Sequence, residues 1–235
     1  MAEMASSPTV RQNYTFKPSR HSSHTRLLQM LPAQGDGKRV LDVGCAAGYL
    51  AETLAARGYR VTGVERPGAN DDGFPESVEL VEADLEHGLP PLDGRFSYVI
   101  CGDVLEHVRD PAKLLRGIHN VLAPGGLLLA SLPNSGHIVF RLVVLSGHFP
   151  QQDRGLFDRT HVRFYMWKGW AQLLSENGFR IEIMHPTIPP FDLALPRLEG
   201  TFPLRAAEKL AYLSARIWPA MFAYQFVIEA KTELS

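Results

Sequence analysis

Val40-Leu41-Asp42-Val43-Gly44-Cys45-Ala46-Ala47-Gly48 reads as a buried strand that stops in a turn of small residues and opens into a helix. A turn of this kind brings backbone N–H groups close to a ligand, and a bulky side chain there would block the approach. Alone, such a turn is a weak signal. The next residues along the chain sharpen it: a helix over 49–57, a stop at Gly58, a strand over 60–64, and then Glu65. A carboxylate at the tip of a second parallel strand is placed to accept hydrogen bonds from both hydroxyls of a ribose.

Outward from this unit the pattern alternates. Helical spacing over 21–31 ends before Pro32, and strands are expected over 39–43, 60–64, 78–82, 96–101 and 127–131, with a helix over 111–122. Residues 66–75 are rich in Pro, Gly, Asn and Asp, so the crossover between the second and third strands shortens to a loop. Near-continuous apolar strands separated by helices imply an α/β fold, a doubly wound and mostly parallel seven-stranded sheet covered on both faces. After Pro133 the rhythm breaks into a segment over 134–165 containing a short apolar helix over 138–145. An insertion at the carboxyl end of a sheet strand lies over the ligand crevice. A helix over 168–177, a strand over 179–185, a proline-rich helical insertion over 186–218 and a closing strand over 222–230 complete the domain of residues 20–235. The last two strands are candidates for antiparallel pairing at the sheet edge. Residues 1–19 read as a flexible arm.

The chain has 235 residues, enough for one domain with a full core, and a formal net charge of -1 that offers no polyanion-binding field. Nucleic acid is not an expected partner. The two cysteines, Cys45 and Cys101, are too sparse for a disulfide framework and point to a reducing compartment. With no signal-peptide pattern at the start and no uninterrupted apolar run long enough to span a bilayer, a soluble cytoplasmic protein is expected.

Five segments together resemble the class I S-adenosylmethionine-dependent methyltransferases, in the branch acting on small molecules, lipids and sugars. They are the turn of residues 42–48; Glu65; Glu82-Ala83-Asp84-Leu85; Gly102-Asp103-Val104-Leu105-Glu106-His107-Val108; and Leu122-Ala123-Pro124-Gly125-Gly126. One departure is Ala46, which stands where the family turn has its middle glycine. The resemblance implies that Gly44, with Cys45 and Gly48, faces the methionine part of S-adenosylmethionine, and that Asp42 holds the loop and reaches its amino group. It further implies Glu65 on the ribose hydroxyls, Asp84 and the Leu85 backbone beside the adenine edge, and Gly102 and Asp103 beside the methionine moiety and sulfonium. The turn and Glu65 alone would equally serve a nicotinamide-dependent oxidoreductase. That fingerprint, however, wants a further glycine where Tyr49, Leu50 and Ala51 stand, and it has no standard use for Asp84. A non-catalytic cofactor-binding module is the other alternative.

A sulfonium methyl is already activated, so the protein's part is to hold the acceptor in line and exclude water. A hydroxyl acceptor also needs a base, most often histidine. His107 and His161 are the catalytic candidates, with His137 and His148 as further histidines near the insertion; His161 lies in Asp158-Arg159-Thr160-His161-Val162-Arg163-Phe164-Tyr165, a segment that otherwise serves to fasten the insertion to the core. On a helix, Asp103, Glu106 and His107 would share one face and suit a divalent cation. A helix-capping role for Asp103 and Glu106 is preferred, and no metal is expected. The expected reaction is methyl transfer to a small-molecule acceptor, more readily at oxygen, in a pocket walled by 134–165. A membrane surface is a less favoured partner, and the chain is expected to be a monomer or homodimer.

Overall fold

A computed structural model describes residues 22–69, 73–191, 195–198 and 200–233; the expected arm over 1–19 lies outside the described residues. Seven strands, β1 (Arg39–Val43), β2 (Arg60–Glu65), β3 (Glu79–Glu82), β4 (Phe96–Gly102), β5 (Leu122–Pro133), β6 (Phe179–Pro186) and β7 (Gln225–Thr232), form one sheet in the order β3-β2-β1-β4-β5-β7-β6. The first five pair in parallel, and β7 runs antiparallel to both β5 and β6. The expected antiparallel edge is present, with the last strand slotted inside β6. The reversal of strand order on either side of β1 and β4 opens the crevice where ligands of doubly wound sheets bind.

Helices α1 (Ser23–Met30), α2 (Tyr49–Ala56), α3 (Pro111–Val121), α4 (Ile138–Leu145), α5 (Trp167–Glu176), α6 (Phe202–Ile217) and α7 (Pro219–Phe222) surround the sheet. Alternate residues of each central strand feed opposite layers. Leu41, Val43, Val99 and Cys101 join Leu114, Leu115, Ile118, Trp170 and Leu174 of α3 and α5. Val40, Val61 and Ile100 instead pack with Leu27, Leu28, Ala51 and Leu54 of α1 and α2. Local caps set the boundaries: Ser22 accepts from the Thr25 N–H at the start of α1, and Asp110 from the Lys113 N–H at the start of α3, where Pro111 supplies a preset φ.

Two sequence expectations change. Residues 222–224 are not strand: Pro219 starts the short α7 and β7 begins at Gln225. No helix runs through Asp103, Glu106 and His107, for α3 starts only at Pro111. Asp103 has φ +56°, a left-handed turn incompatible with a helical start, so neither the capping box nor the shared helical face exists. Among the described residues no helix is long and apolar enough to cross a membrane.

Candidate active site

The turn after β1 depends on three departures into left-handed backbone within five residues. Gly44, Ala46 and Gly48 have φ of +71°, +47° and +78°. A Cβ on Gly44 would lie 2.6 Å from Val104 Cγ2, and one on Gly48 2.8 Å from the Phe74 ring. Glycine is therefore demanded by the chain's own packing as well as by access for a ligand. Glu65 clamps this turn, with Oε2 accepting from the Ala46 N–H at 2.8 Å and Oε1 from the Arg66 N–H at 2.9 Å. Each carboxylate oxygen retains a further lone pair for a diol.

Asp42 is 4% exposed, and its Oδ2 has no hydrogen-bond partner among the described residues. Burial, and then the charge of Glu65, push its carboxyl up to about 7. An orphaned buried carboxyl of this kind fits the ammonium of an amino-acid-bearing cofactor, which would restore its charge balance. Cys45 is buried beside it, its thiol raised by burial and by the charges of Asp42 and Glu65. Asp84 is exposed after β3 and caps the turn Leu85–His87, Oδ1 accepting from the Glu86 N–H at 3.0 Å. Its second oxygen lies 3.9 Å from His87 Nδ1. Gly102 ends β4, where an added Cβ would approach Leu27 Cδ1 at 3.3 Å. Asp103 is strapped across the crevice floor: Oδ1 accepts from Ser131 Oγ at 2.6 Å and from Gln225 Nε2 at 2.7 Å, and Oδ2 from Ser23 Oγ at 3.4 Å.

On the opposite wall the loop after β4 meets the end of the insertion. The Val162 and Arg163 N–H groups donate to the Glu106 carbonyl at 2.9 and 3.1 Å, and Arg163 also bonds the Arg109 carbonyl. The segment does fasten the insertion, yet it does so mainly through backbone, leaving His161 to face Glu106 and His107. The two imidazoles meet edge to face with centroids 4.8 Å apart. His161 Nε2 lies 3.9 Å from Glu106 Oε1, beyond hydrogen-bond reach. Ligand atoms of Glu106, His107 and His161 lie within 4.8 Å of one another, a set of one oxygen and two nitrogens that suits a divalent cation. The metal-ligating grouping thus differs from the one the sequence suggested, with His161 in place of Asp103.

Thr160, which sequence reading passed over, decides the state of His107. Its hydroxyl donates to Asp158 Oδ1 at 2.6 Å, while His107 Nδ1 lies 3.0 Å from that hydroxyl oxygen and 3.2 Å from the Thr160 carbonyl. With both neighbouring oxygens acting as acceptors, the neutral ring of His107 carries its proton on Nδ1 and leaves Nε2 as the acceptor. The Asp158-x-Thr160 spacing, in which an aspartate side chain bonds the backbone two residues on, was the available signal. Burial, and then His107, lower His161 to about 4, so it is neutral at physiological pH. His137 caps α4 from a buried position and His148 bonds Ser146 on an exposed loop; neither joins the cluster.

The insertion is anchored at its root. Asn134 is fully buried, its amide donating to the Ala223 carbonyl at 2.7 Å, and Trp170 Nε1 donates to the Pro133 carbonyl at 2.8 Å. Phe140 stacks on Phe157 at 4.6 Å, with Phe149 and Phe164 closing the aromatic group. Phe140 is buried and Val143 packs beside it, whereas Val139, Leu142, Val144 and Leu145 of α4 are exposed.

Residues 19–182 match a family of methyltransferase domains. The chain belongs to this S-adenosylmethionine-dependent family. A ubiquinone biosynthesis O-methyltransferase of Pseudomonas aeruginosa is 32% identical over 158 residues, covering 62% of this chain and 66% of the relative. The match thus spans just under two thirds of that relative's length. Among solved structures, phosphoethanolamine N-methyltransferase 2 of Haemonchus contortus, in complex with S-adenosyl-L-methionine, superposes with a TM-score of 0.60 at 19% identity, over 90% of this chain and 52% of that one. The [4+2]-cyclase SpnF superposes with a TM-score of 0.58 at 20% identity, over 90% of this chain and 81% of that one. These likenesses show the fold. The family match gives the cofactor as S-adenosylmethionine rather than a nicotinamide, and the orphaned Asp42 carboxyl is consistent with it.

Proposed function

We propose that this chain moves the methyl group of S-adenosylmethionine to a hydroxyl oxygen of a small acceptor, of quinone-precursor, lipid or sugar type, in the pocket walled by residues 134–165. When bound, the cofactor supplies an activated methyl on a sulfonium. Asp42 would hold its ammonium, Glu65 its ribose diol, Asp84 with the Leu85 backbone its adenine, and Gly44, Cys45, Gly48, Gly102 and Asp103 would line the methionine part. His107 Nε2 would take the acceptor's proton, and His161 would accept a second acceptor hydroxyl. The observation that carries this reading is the contact of His107 Nδ1 with Thr160, itself held by the buried Asp158, which orients Nε2 as the ring's acceptor. A base must approach the acidity of the group it deprotonates. An imidazole is far better matched to a phenolic hydroxyl, with a pKa of about 10, than to an aliphatic alcohol. That, with the name of the relative in Pseudomonas aeruginosa, favours the aromatic quinone-precursor class over sugars.

The test is transfer of labelled methyl to a panel of catechols, prenylated phenols and sugar alcohols, by the parent and by His107→Ala. Turnover on phenolic acceptors, lowered about a hundredfold or more in the variant while cofactor affinity holds, is the expected result. Equal rates in parent and variant, or turnover confined to sugars, would remove His107 from its role. The convergence of Glu106, His107 and His161 favours a second reading, in which a divalent cation binds the acceptor oxygen. Turnover abolished by a chelator and restored by magnesium or manganese selects it.

A further inference from the structure

Helix α6 is settled on one side only. Leu204 and Ala215 are buried and Glu208, Ala211 and Tyr212 half-buried, all on the side toward the sheet. At 3.6 residues per turn, Phe202, Ala206, Leu210, Leu213 and Ile217 fall in a single line on the opposite side. Phe202 is 84% exposed, Leu210 67%, Leu213 53% and Ile217 76%, and Trp218 follows at 55%. Leu195 and Leu198, just upstream, are also exposed.

The charges around this stripe are one-sided. Arg205, Lys209 and Arg216 are exposed and border the same flank, whereas the other flank carries Pro203, Ala207 and Ser214. Glu208, the one acidic residue of the helix, lies toward the sheet. An antiparallel pairing with a second copy would bring Lys209 and Arg216 of each helix against the same residues of the other, a like-charge seam. A negatively charged surface meets no such opposition. An apolar stripe beside a cationic border, with an aromatic residue at its end, is the pattern of a helix lying in a membrane interface.

We propose that this face of α6 docks on an anionic lipid surface, with the stripe at the acyl boundary and the three cations among the headgroups. The surface stands independently of which acceptor is methylated. Its position bears on the site, because α6 runs through Trp218 into α7, and the Pro219 and Ala220 carbonyls of α7 accept from the Asn134 amide at the root of the insertion. A docked α6 holds the acceptor side of the crevice against the bilayer.

The test is co-sedimentation of the full chain with vesicles of phosphatidylcholine alone and mixed with phosphatidylglycerol. Binding to the mixed vesicles only, weakened by salt, is expected. Leu210→Glu with Ile217→Glu should lower it by about tenfold or more, and Arg205→Gln with Lys209→Gln should remove the preference for the anionic lipid. Affinity for S-adenosylmethionine should stay unchanged in both, which reports that they fold. Absence of parent binding, or equal binding to neutral vesicles, overturns the proposal. So does binding retained by the α6 variants but lost in Leu142→Glu with Leu145→Glu, which assigns the contact to α4. A dimer in light scattering that the Leu210 and Ile217 substitutions dissociate would give the stripe to a second copy instead.

Discussion

Along the tips of β1, β2 and β3 the crevice is lined with carboxylates, one of them raised toward neutrality by burial and the charge of Glu65; across β4 and the insertion it is lined with imidazoles, one of them held neutral mainly by burial. The carboxylate wall is assembled from single strand ends, each fixed by the turn that succeeds it. The imidazole wall is assembled from segments more than fifty residues apart, joined by the His107 to Thr160 contact and the Glu106 carbonyl. Under the proposed function one wall would receive a cation and the other a proton. Burial is the larger cause of both conditions, since it disfavours charge on either kind of group, and a like-charged neighbour, Glu65 or His107, adds to it.

Replacing Glu65 tests the first wall most severely. Glu65→Ala removes the proposed ribose acceptor and unclamps the Ala46 N–H, so affinity for S-adenosylhomocysteine in calorimetry should fall by about a hundredfold. A change below threefold would separate the carboxylate from the diol. Next in size is a pH effect at Asp42. In the free protein this carboxyl holds its proton below about pH 7. Binding an ammonium favours the ionised form, so a proton is released. Affinity should therefore weaken by about tenfold between pH 8 and pH 6, and Asp42→Asn should abolish both the slope and the proton release seen in buffers of different ionisation enthalpy. By the same linkage the free protein gains stability as pH falls from 7 toward 4, because the unfolded carboxylate, at its ordinary 3.8, is still ionised there.

The second wall is tested by Thr160→Val, which leaves His107 without its hydroxyl partner. A loss of about fivefold in kcat with KM unchanged, recovered by Thr160→Ser, is expected; an unchanged pH profile and kcat would show that the tautomer is set elsewhere. The smallest effect belongs to Ala46, an L residue in left-handed backbone. Ala46→Gly should stabilise the fold by up to about 1 kcal/mol, read as a rise of a few degrees in Tm. A fall in Tm would mean that the methyl group makes a contact outweighing the strain.

These two walls also differ in how far they could be read from residues alone. Asp42, Gly44, Gly48 and Glu65 obey short-range rules of strand, turn and helix, and Arg39–Val43 and Ile138–Leu145 coincide with the segments that periodicity marks. His107 and His161 were each legible as candidates. Their edge-to-face meeting was not, because it depends on how far the insertion folds back over β4. Asp103 misled for a similar reason: its neighbours suit a helix, but Ser131 and Gln225, on β5 and β7, hold it in a left-handed turn that no local pattern announces. The position of β7 inside β6 is likewise a matter of edge pairing, decided by contacts between distant segments. Residues 19–182 carry the family signature, whereas the exposed stripe of α6 lies beyond them.

Cys45 and Cys101 are both buried, and their thiols are raised well above the ordinary range by desolvation and nearby carboxylates. Such sulfurs stay protonated and sheltered, hence sluggish toward alkylating reagents while the chain is folded. Because Cys45 belongs to the first turn, its labelling with iodoacetamide reports breathing of that loop, and ligand occupancy should slow it. The chain thereby comes with an intrinsic opening gauge, and a single cysteine introduced on its surface would accept a fluorophore with little background.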